Sequence, residues 1–114
     1  MQVTIIVPIH NSERYLRECL ESVSAQKFQK MEILCIDGGS TDHSHEIVEE
    51  MQRKDARITY IQDVNTSYGH KINVGIAKAL GRYIAILESD DKMVPDMIEK
   101  LYSIAEKYDA DVVD

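Results

Sequence analysis

Four short apolar runs, each followed by a segment of helical periodicity, constrain this chain more than any other feature of its sequence. Val3-Thr4-Ile5-Ile6-Val7 is a β-branched run that reads as a buried strand, stopped by Pro8. Ser12 then stands where a helix cap is expected, and Leu16, Cys19, Leu20 and Val23 fall at i, i+3, i+4 and i+7 on one stripe. Ile33-Leu34-Cys35-Ile36 makes a second strand, broken by Asp37-Gly38-Gly39-Ser40. Thr41 or Asp42 caps the next helix, whose inner face is Ile47, Val48 and Met51. Ile58-Thr59-Tyr60-Ile61 is a third, weaker strand. Ile72, Ile76 and Leu80 share one face of a helix ended by Gly81. Tyr83 to Leu87 is a fourth strand. Pro95 suits the first turn of a last helix with Met97, Ile98, Leu101, Ile104 and Ala105 inward. Val112-Val113 begins a fifth strand.

Strand and helix alternating over short connections predict parallel strands joined by right-handed crossovers. The expected fold is α/β, a Rossmann-like, mainly parallel sheet with helices on both faces. The 114 residues make a single domain at most. A fifth strand with nothing after it suggests a cut within a domain, so residues 1–114 are expected to be the N-terminal part of a larger one.

Composition removes several function classes. Thirteen basic against twenty acidic side chains leave a formal charge of -7, a poor basis for gripping phosphate backbones, so no nucleic-acid partner is expected. No apolar run approaches the roughly 20 residues of a membrane span. The start has no basic segment leading into an apolar one, so it does not read as a secretory signal, and a cytoplasmic location is expected. Cys19 and Cys35 fall inside apolar stretches and read as small core residues, not as a disulfide or a metal pair.

In open α/β sheets ligands bind outside the carboxyl ends of the strands. The residues just past the strands are therefore the informative ones: Pro8-Ile9-His10-Asn11, Asp37-Gly38-Gly39-Ser40-Thr41-Asp42 and Glu88-Ser89-Asp90-Asp91. Three carboxylates in the last four residues repel one another unless solvent or a cation neutralises them. Such oxygen donors suit Mg²⁺ or Mn²⁺ shared with substrate phosphates. The bland alternative is a solvated acidic turn with Asp90 or Asp91 serving the next helix. Asp37-Gly38-Gly39-Ser40 is either a plain strand-to-helix turn or a place where a ligand approaches the backbone while Asp37 accepts hydrogen bonds from a base or sugar. His10 stands where a planar ring would stack on a base, and His70-Lys71 suits a phosphate-facing loop. His43 and His45 read as surface. The chain has neither G-x-G-x-x-G nor G-x-x-x-x-G-K-[ST], so dinucleotide-fingerprint and NTPase readings have no support.

Four segments in order resemble the N-terminal half of a family 2 glycosyltransferase of the GT-A fold. They are Val7-Pro8-Ile9-His10-Asn11 with Tyr15-Leu16 and Cys19-Leu20-Glu21-Ser22; Ile36-Asp37-Gly38-Gly39-Ser40-Thr41-Asp42; Asn73-Val74-Gly75-Ile76 with Ala79-Leu80-Gly81-Arg82-Tyr83-Ile84; and Leu87-Glu88-Ser89-Asp90-Asp91 with Pro95 downstream. The resemblance implies an inverting, metal-dependent enzyme that moves a sugar from a nucleotide-sugar donor, a UDP-sugar foremost, to a saccharide or other hydroxyl acceptor. It implies that Pro8, His10, Asn11, Glu13, Asp37 and Gly38 line the nucleoside pocket with Lys71 and Asn73 nearby. Asp91 would ligate Mg²⁺ or Mn²⁺, and Asp90 would hold the ribose or share the metal. The sequence departs from the family in having His10 for a usual tyrosine, Gly38 for a frequent second aspartate, and Glu88 for the first acid of Asp-x-Asp-Asp. The catalytic base and acceptor site are expected beyond Asp114. An unpaired sheet edge near Val112-Val113 would invite self-association. Two rival readings are a non-catalytic nucleotide- or metal-binding module and a phosphoacceptor signalling domain, for which Asp63 would follow the third strand.

Overall fold

The computed structural model describes residues 2–64 and 67–108. Four strands, β1 (Val3–Ile9), β2 (Met31–Asp37), β3 (Ile58–Gln62) and β4 (Tyr83–Ile86), alternate with four helices, α1 (Glu13–Ser24), α2 (Ser44–Lys54), α3 (Tyr68–Lys78) and α4 (Met97–Tyr108). The strands form one parallel sheet in the order β3-β2-β1-β4. This is the predicted α/β architecture, and the order matters. Phosphoacceptor domains place their strands 2-1-3-4-5, whereas this chain runs outward from β1 through β2 to β3 and returns to β1's other side with β4. That removes the signalling-domain reading. Val112-Val113 lies outside the described residues.

Both faces of the sheet are covered. Val3, Ile5, Val7 and Ile9 of β1 pack with Leu16, Cys19, Leu20 and Val23 of α1, Val48 and Met51 of α2, and Ile98 and Ala105 of α4. Alternate residues turn the other way, so Ile6, Leu34 and Ile36 form a smaller core with Ile72 and Val74 of α3. Cys19 and Cys35 are buried free thiols, as the sequence suggested.

Pro8 does not stop β1, which continues to Ile9 with Pro8 paired to Ile36. In a parallel ladder alternate residues address the same neighbour. Ile9 O accepts from Gly38 N and Ile6 O accepts from Leu87 N, so Pro8 addresses the β4 side. The β1–β4 pairing ends at Ile6 and Ile86, since proline has no N–H to carry the ladder further on that side, while the β2 side continues to Ile9.

Ile76 on α3 and Leu80 just beyond it are exposed, and the buried positions of the helix are Lys71 and Gly75. A Cβ at Gly75 would come within 2.8 Å of Ile6, so the bare glycine lets the helix sit close on the sheet. Apolar periodicity cannot see a face made of lysine and glycine. Gly81 does not terminate the helix, which ends at Lys78; a Cβ there would lie 2.5 Å from the Thr4 backbone nitrogen. Similarly, Ile104 is exposed beside the α4 stripe of Ile98, Leu101 and Ala105, and Pro95 stands just ahead of the helix.

Candidate functional site

The strand order switches side between β1 and β4, and the carboxyl end of the sheet at such a switch is the general position of ligands in these folds. β4 falls short of the end of β1, and Pro8 and Ile9 lie buried beneath the loops that follow the strands. Three loops meet there, and hydrogen bonds between them fix their relation.

Asn11 follows β1 in the left-handed region, φ 49°, which asparagine tolerates better than other non-glycine residues. Its side-chain Oδ1 accepts from Thr41 N at 2.8 Å and from Asp42 N at 3.3 Å. Its own N–H donates to Ser40 Oγ at 2.9 Å. Ser12 N donates to Ser44 Oγ at 2.8 Å. Asp42 then serves two helix starts: Oδ2 accepts from Glu13 N at the head of α1, and Oδ1 from Ser44 N at the head of α2. Ser12 therefore does not cap α1 with its side chain, and the donor-satisfying role passes to a residue on the next loop. Glu13 reaches back to the His43 ring, Nδ1 to Oε2 2.7 Å, and that hydrogen bond to a carboxylate raises the histidine's pKa.

Asp37 ends β2 and is only 1% exposed. Its Oδ1 accepts from both the N–H and the hydroxyl of Ser40, and Oδ2 accepts from the Tyr60 hydroxyl at 2.6 Å. The carboxylate that the sequence offers to a base or sugar thus holds the loop from beneath. Gly38 beside it is buried, with its N–H on Ile9 O.

The third loop joins through different atoms. Ser12 Oγ and Ser89 Oγ share a hydrogen bond of 2.7 Å between the loops after β1 and β4. The Cys19 thiol donates to Glu88 O, and burial, with Asp91 and Asp90 adding, pushes its pKa up to about 12. It stays a neutral donor and offers no thiolate to a metal. Tyr68, at the head of α3, donates to Glu88 Oε1. Glu88 O also accepts from Asp91 N at 3.0 Å, closing a turn that presents Asp90 and Asp91, both exposed. They do not serve a helix start, since α4 begins at Met97.

Among the described residues no three His, Cys, Asp or Glu side chains converge as a metal-holding group. Two exposed aspartates on one turn nevertheless supply the donor type that Mg²⁺ or Mn²⁺ takes when phosphates complete its shell. The structure thus gathers Pro8, Asn11, Glu13, Asp37 and Gly38 at interlocked loops, places His10 exposed at their rim, and sets Asp90 and Asp91 on the facing turn. Lys71 is buried one turn into α3, its Nζ directed to Ser67 O at 3.4 Å, and Asn73 is exposed further along that helix. Ser12, Ser40, Asp42, Tyr60 and Ser89 connect the site and went unnoticed as connectors in the sequence. Only the strand register brings Tyr60, opposite Cys35, to the face that carries Asp37.

The sequence profile described as glycosyl transferase family 2 matches residues 4–114. The chain belongs to that family. Among its relatives are two from Streptococcus pneumoniae: glycosyltransferase GlyG, 40% identical over 97% of this chain and 37% of that protein, and glycosyltransferase GlyA, 39% identical over 97% of this chain and 16% of that protein. The chain thus spans well under half of either relative. S. aureus TarS residues 1–349, in complex with UDP-GlcNAc, superposes with a TM-score of 0.88 at 28% identity, over 96% of this chain and 32% of that one. The mannosyltransferase PcManGT of Pyrobaculum calidifontis, in complex with GDP-Man and Mn²⁺, has a TM-score of 0.75 at 24% identity over 80% of this chain and 28% of that one, which speaks to the fold alone. The family's GT-A fold accounts for the sheet order.

Proposed function

We propose that this chain is the donor-binding part of an inverting, metal-dependent glycosyltransferase domain, taking a UDP-sugar as donor and a saccharide or other hydroxyl as acceptor. The observation that carries the reading is the meeting of the loops after β1, β2 and β4 at the strand-order switch, with the interlocked β1 and β2 loops on one flank and the exposed Asp90–Asp91 turn on the other. Membership of the family supports the transfer chemistry, and the TarS complex supports a uridine nucleotide. With two buried free thiols and no helix among the described residues long and apolar enough to cross a membrane, the reading includes a cytoplasmic site of action.

The roles follow from placement. His10, Asn11 and Glu13 form the exposed wall against which the nucleoside lies, with the His10 ring available to stack on a base and the buried Pro8 and Gly38 backing it. Lys71 and Asn73, on α3, belong to the outer margin of the donor site. Asp91, with Asp90 sharing the metal or holding the ribose, would hold Mg²⁺ or Mn²⁺. Bound there, the ion acts as a Lewis acid on the departing diphosphate. The like charges of Asp90 and Asp91 repel a bare diphosphate, so donor binding at this turn depends on a cation.

Calorimetric titration of the full-length protein with UDP and GDP, with Mn²⁺ or with EDTA, tests this. UDP affinity should fall at least tenfold in EDTA and in Asp91→Ala. Equal binding with and without metal would overturn the metal assignment, and tighter binding of GDP would overturn the donor assignment.

A further inference from the structure

We propose that Tyr60 is a positioning residue for nucleoside recognition, acting through the buried Asp37 on Ser40 and Asn11. The inference rests on the reading of these strand-end loops as a nucleotide-donor site. Asp37 is too deeply buried to serve as an open face for a ligand, so its influence must travel through what it holds.

What it holds is a short chain of hydrogen bonds. The Tyr60 hydroxyl donates to Asp37 Oδ2, Ser40 donates twice to Asp37 Oδ1, and the Asn11 N–H donates to Ser40 Oγ. The Ser40 bonds are local, closing a turn three residues long. Tyr60 comes from a different strand, 23 residues away. With Oδ1 tied to its own loop, Oδ2 is the oxygen through which the rest of the fold fixes the carboxylate's rotation. Without it the carboxylate can swing about the Ser40 anchor, taking the Asn11 turn and the neighbouring His10 with it.

Tyr60 is built to stay in place. The His45 ring stacks flat on it, centroids 4.1 Å apart and 3° from parallel, and His45 Nε2 is 2.9 Å from Glu49 Oε1. Burial, then the hydrogen bond to Asp37, raise the phenol's pKa above its ordinary value, so it remains a donor throughout the working range. His45 is exposed, as the sequence suggested, but it is not idle surface.

The test is calorimetry on the full-length protein with UDP and with inorganic diphosphate, each in saturating Mn²⁺, for Tyr60→Phe, Asp37→Ala and the double variant. Tyr60→Phe should weaken UDP by about 3- to 10-fold, the worth of one hydrogen bond. It should leave diphosphate within about twofold, since the metal turn lies on the other flank. On the Asp37→Ala background it should add nothing. In donor hydrolysis the same substitution should raise KM at unchanged kcat. Equal losses for UDP and diphosphate would mean general loosening, and no loss for UDP would mean that the bond positions nothing; either overturns the proposal. So does a full Tyr60→Phe effect where Asp37 is already alanine. Should Asp37→Ala fail to fold, the UDP-against-diphosphate comparison on Tyr60→Phe alone still decides. If the unsubstituted protein binds no nucleotide, the donor-site reading itself falls, a result distinct from all of these.

Discussion

Strand β2 carries a buried carboxylate near each end, and the two are used differently. At the amino end, Glu32 Oε2 accepts from the Thr4 hydroxyl at 2.7 Å and from the Leu80 N–H, while Thr4 Oγ1 accepts from Gly81 N at 2.9 Å. These bonds staple β2, β1 and the approach to β4, and Gly81 packs too closely on β1 to admit a side chain. At the carboxyl end, Asp37 is bonded to Tyr60 of β3 and to Ser40, and Ser40 is a loop group that continues outward to Asn11. Equal burial therefore does not mean equal purpose. A carboxylate that ties strands together at the end of the sheet away from the site serves stability; one that ties a strand to a site loop transmits framework rigidity to that loop.

The comparison can be broken most readily at Glu32. Glu32→Ala leaves the Thr4 hydroxyl and the Leu80 N–H without their partner, and should cost about 2–4 kcal/mol of stability in urea titration. Nucleotide affinity of the folded fraction should be unchanged; a matching loss of affinity would erase the distinction between the two ends. Asp37→Ala should show the reverse emphasis, weakening UDP binding by about 1–3 kcal/mol in calorimetry. Unaltered UDP binding would place the nucleoside elsewhere.

A third carboxylate sharpens the amino-end picture. Hydrogen bonds from Arg57, opposed by burial and aided by Ser24, hold Asp55 down to about 2. A depressed carboxyl pKa contributes stability that is complete above the unfolded value near 4 and is lost as pH falls through about 2. Acid titration of stability should therefore lose about 1–2 kcal/mol across that window, allowing for solvent screening, and Asp55→Asn should flatten it. A profile unchanged by Asp55→Asn would show that the ion pair is not what the window reports. The smallest effect belongs to the carboxyl-end periphery. His43→Ala removes an exposed clasp to Glu13 while Asp42 still holds both helix starts, so UDP affinity should change by less than about twofold. A larger change would extend the site onto the α1–α2 surface.

The fold was legible because its elements announce themselves locally. β-branched runs for β1 and β2 and the i, i+3, i+4, i+7 stripe of α1 each encode burial in their own spacing. Pro8 was misread as a strand end, since whether a missing N–H matters depends on which neighbour that side of the strand addresses. The stripe on α3 was misplaced because Gly75 and Lys71 make its buried face, and neither counts as apolar in a periodicity. Of the site, the strand-end loops and the Asp90–Asp91 turn could be picked out by chemistry and position. Their connectors could not, because Ser12, Asp42 and Tyr60 are ordinary residues until the loops are brought together.

The sequence by itself determined that strands and helices alternate, that both sheet faces are buried, and that carboxylates cluster just past the strands, since each is a property of neighbours along the chain. Tertiary structure alone decided the strand order that brings the loops after β1 and β4 together, and which buried carboxylate ties strands to one another and which ties a strand to a site loop. Those depend on contacts between residues 23 to 77 positions apart, such as Tyr60 with Asp37 and Ser12 with Ser89, and side-chain spacing along a strand or helix carries no record of them.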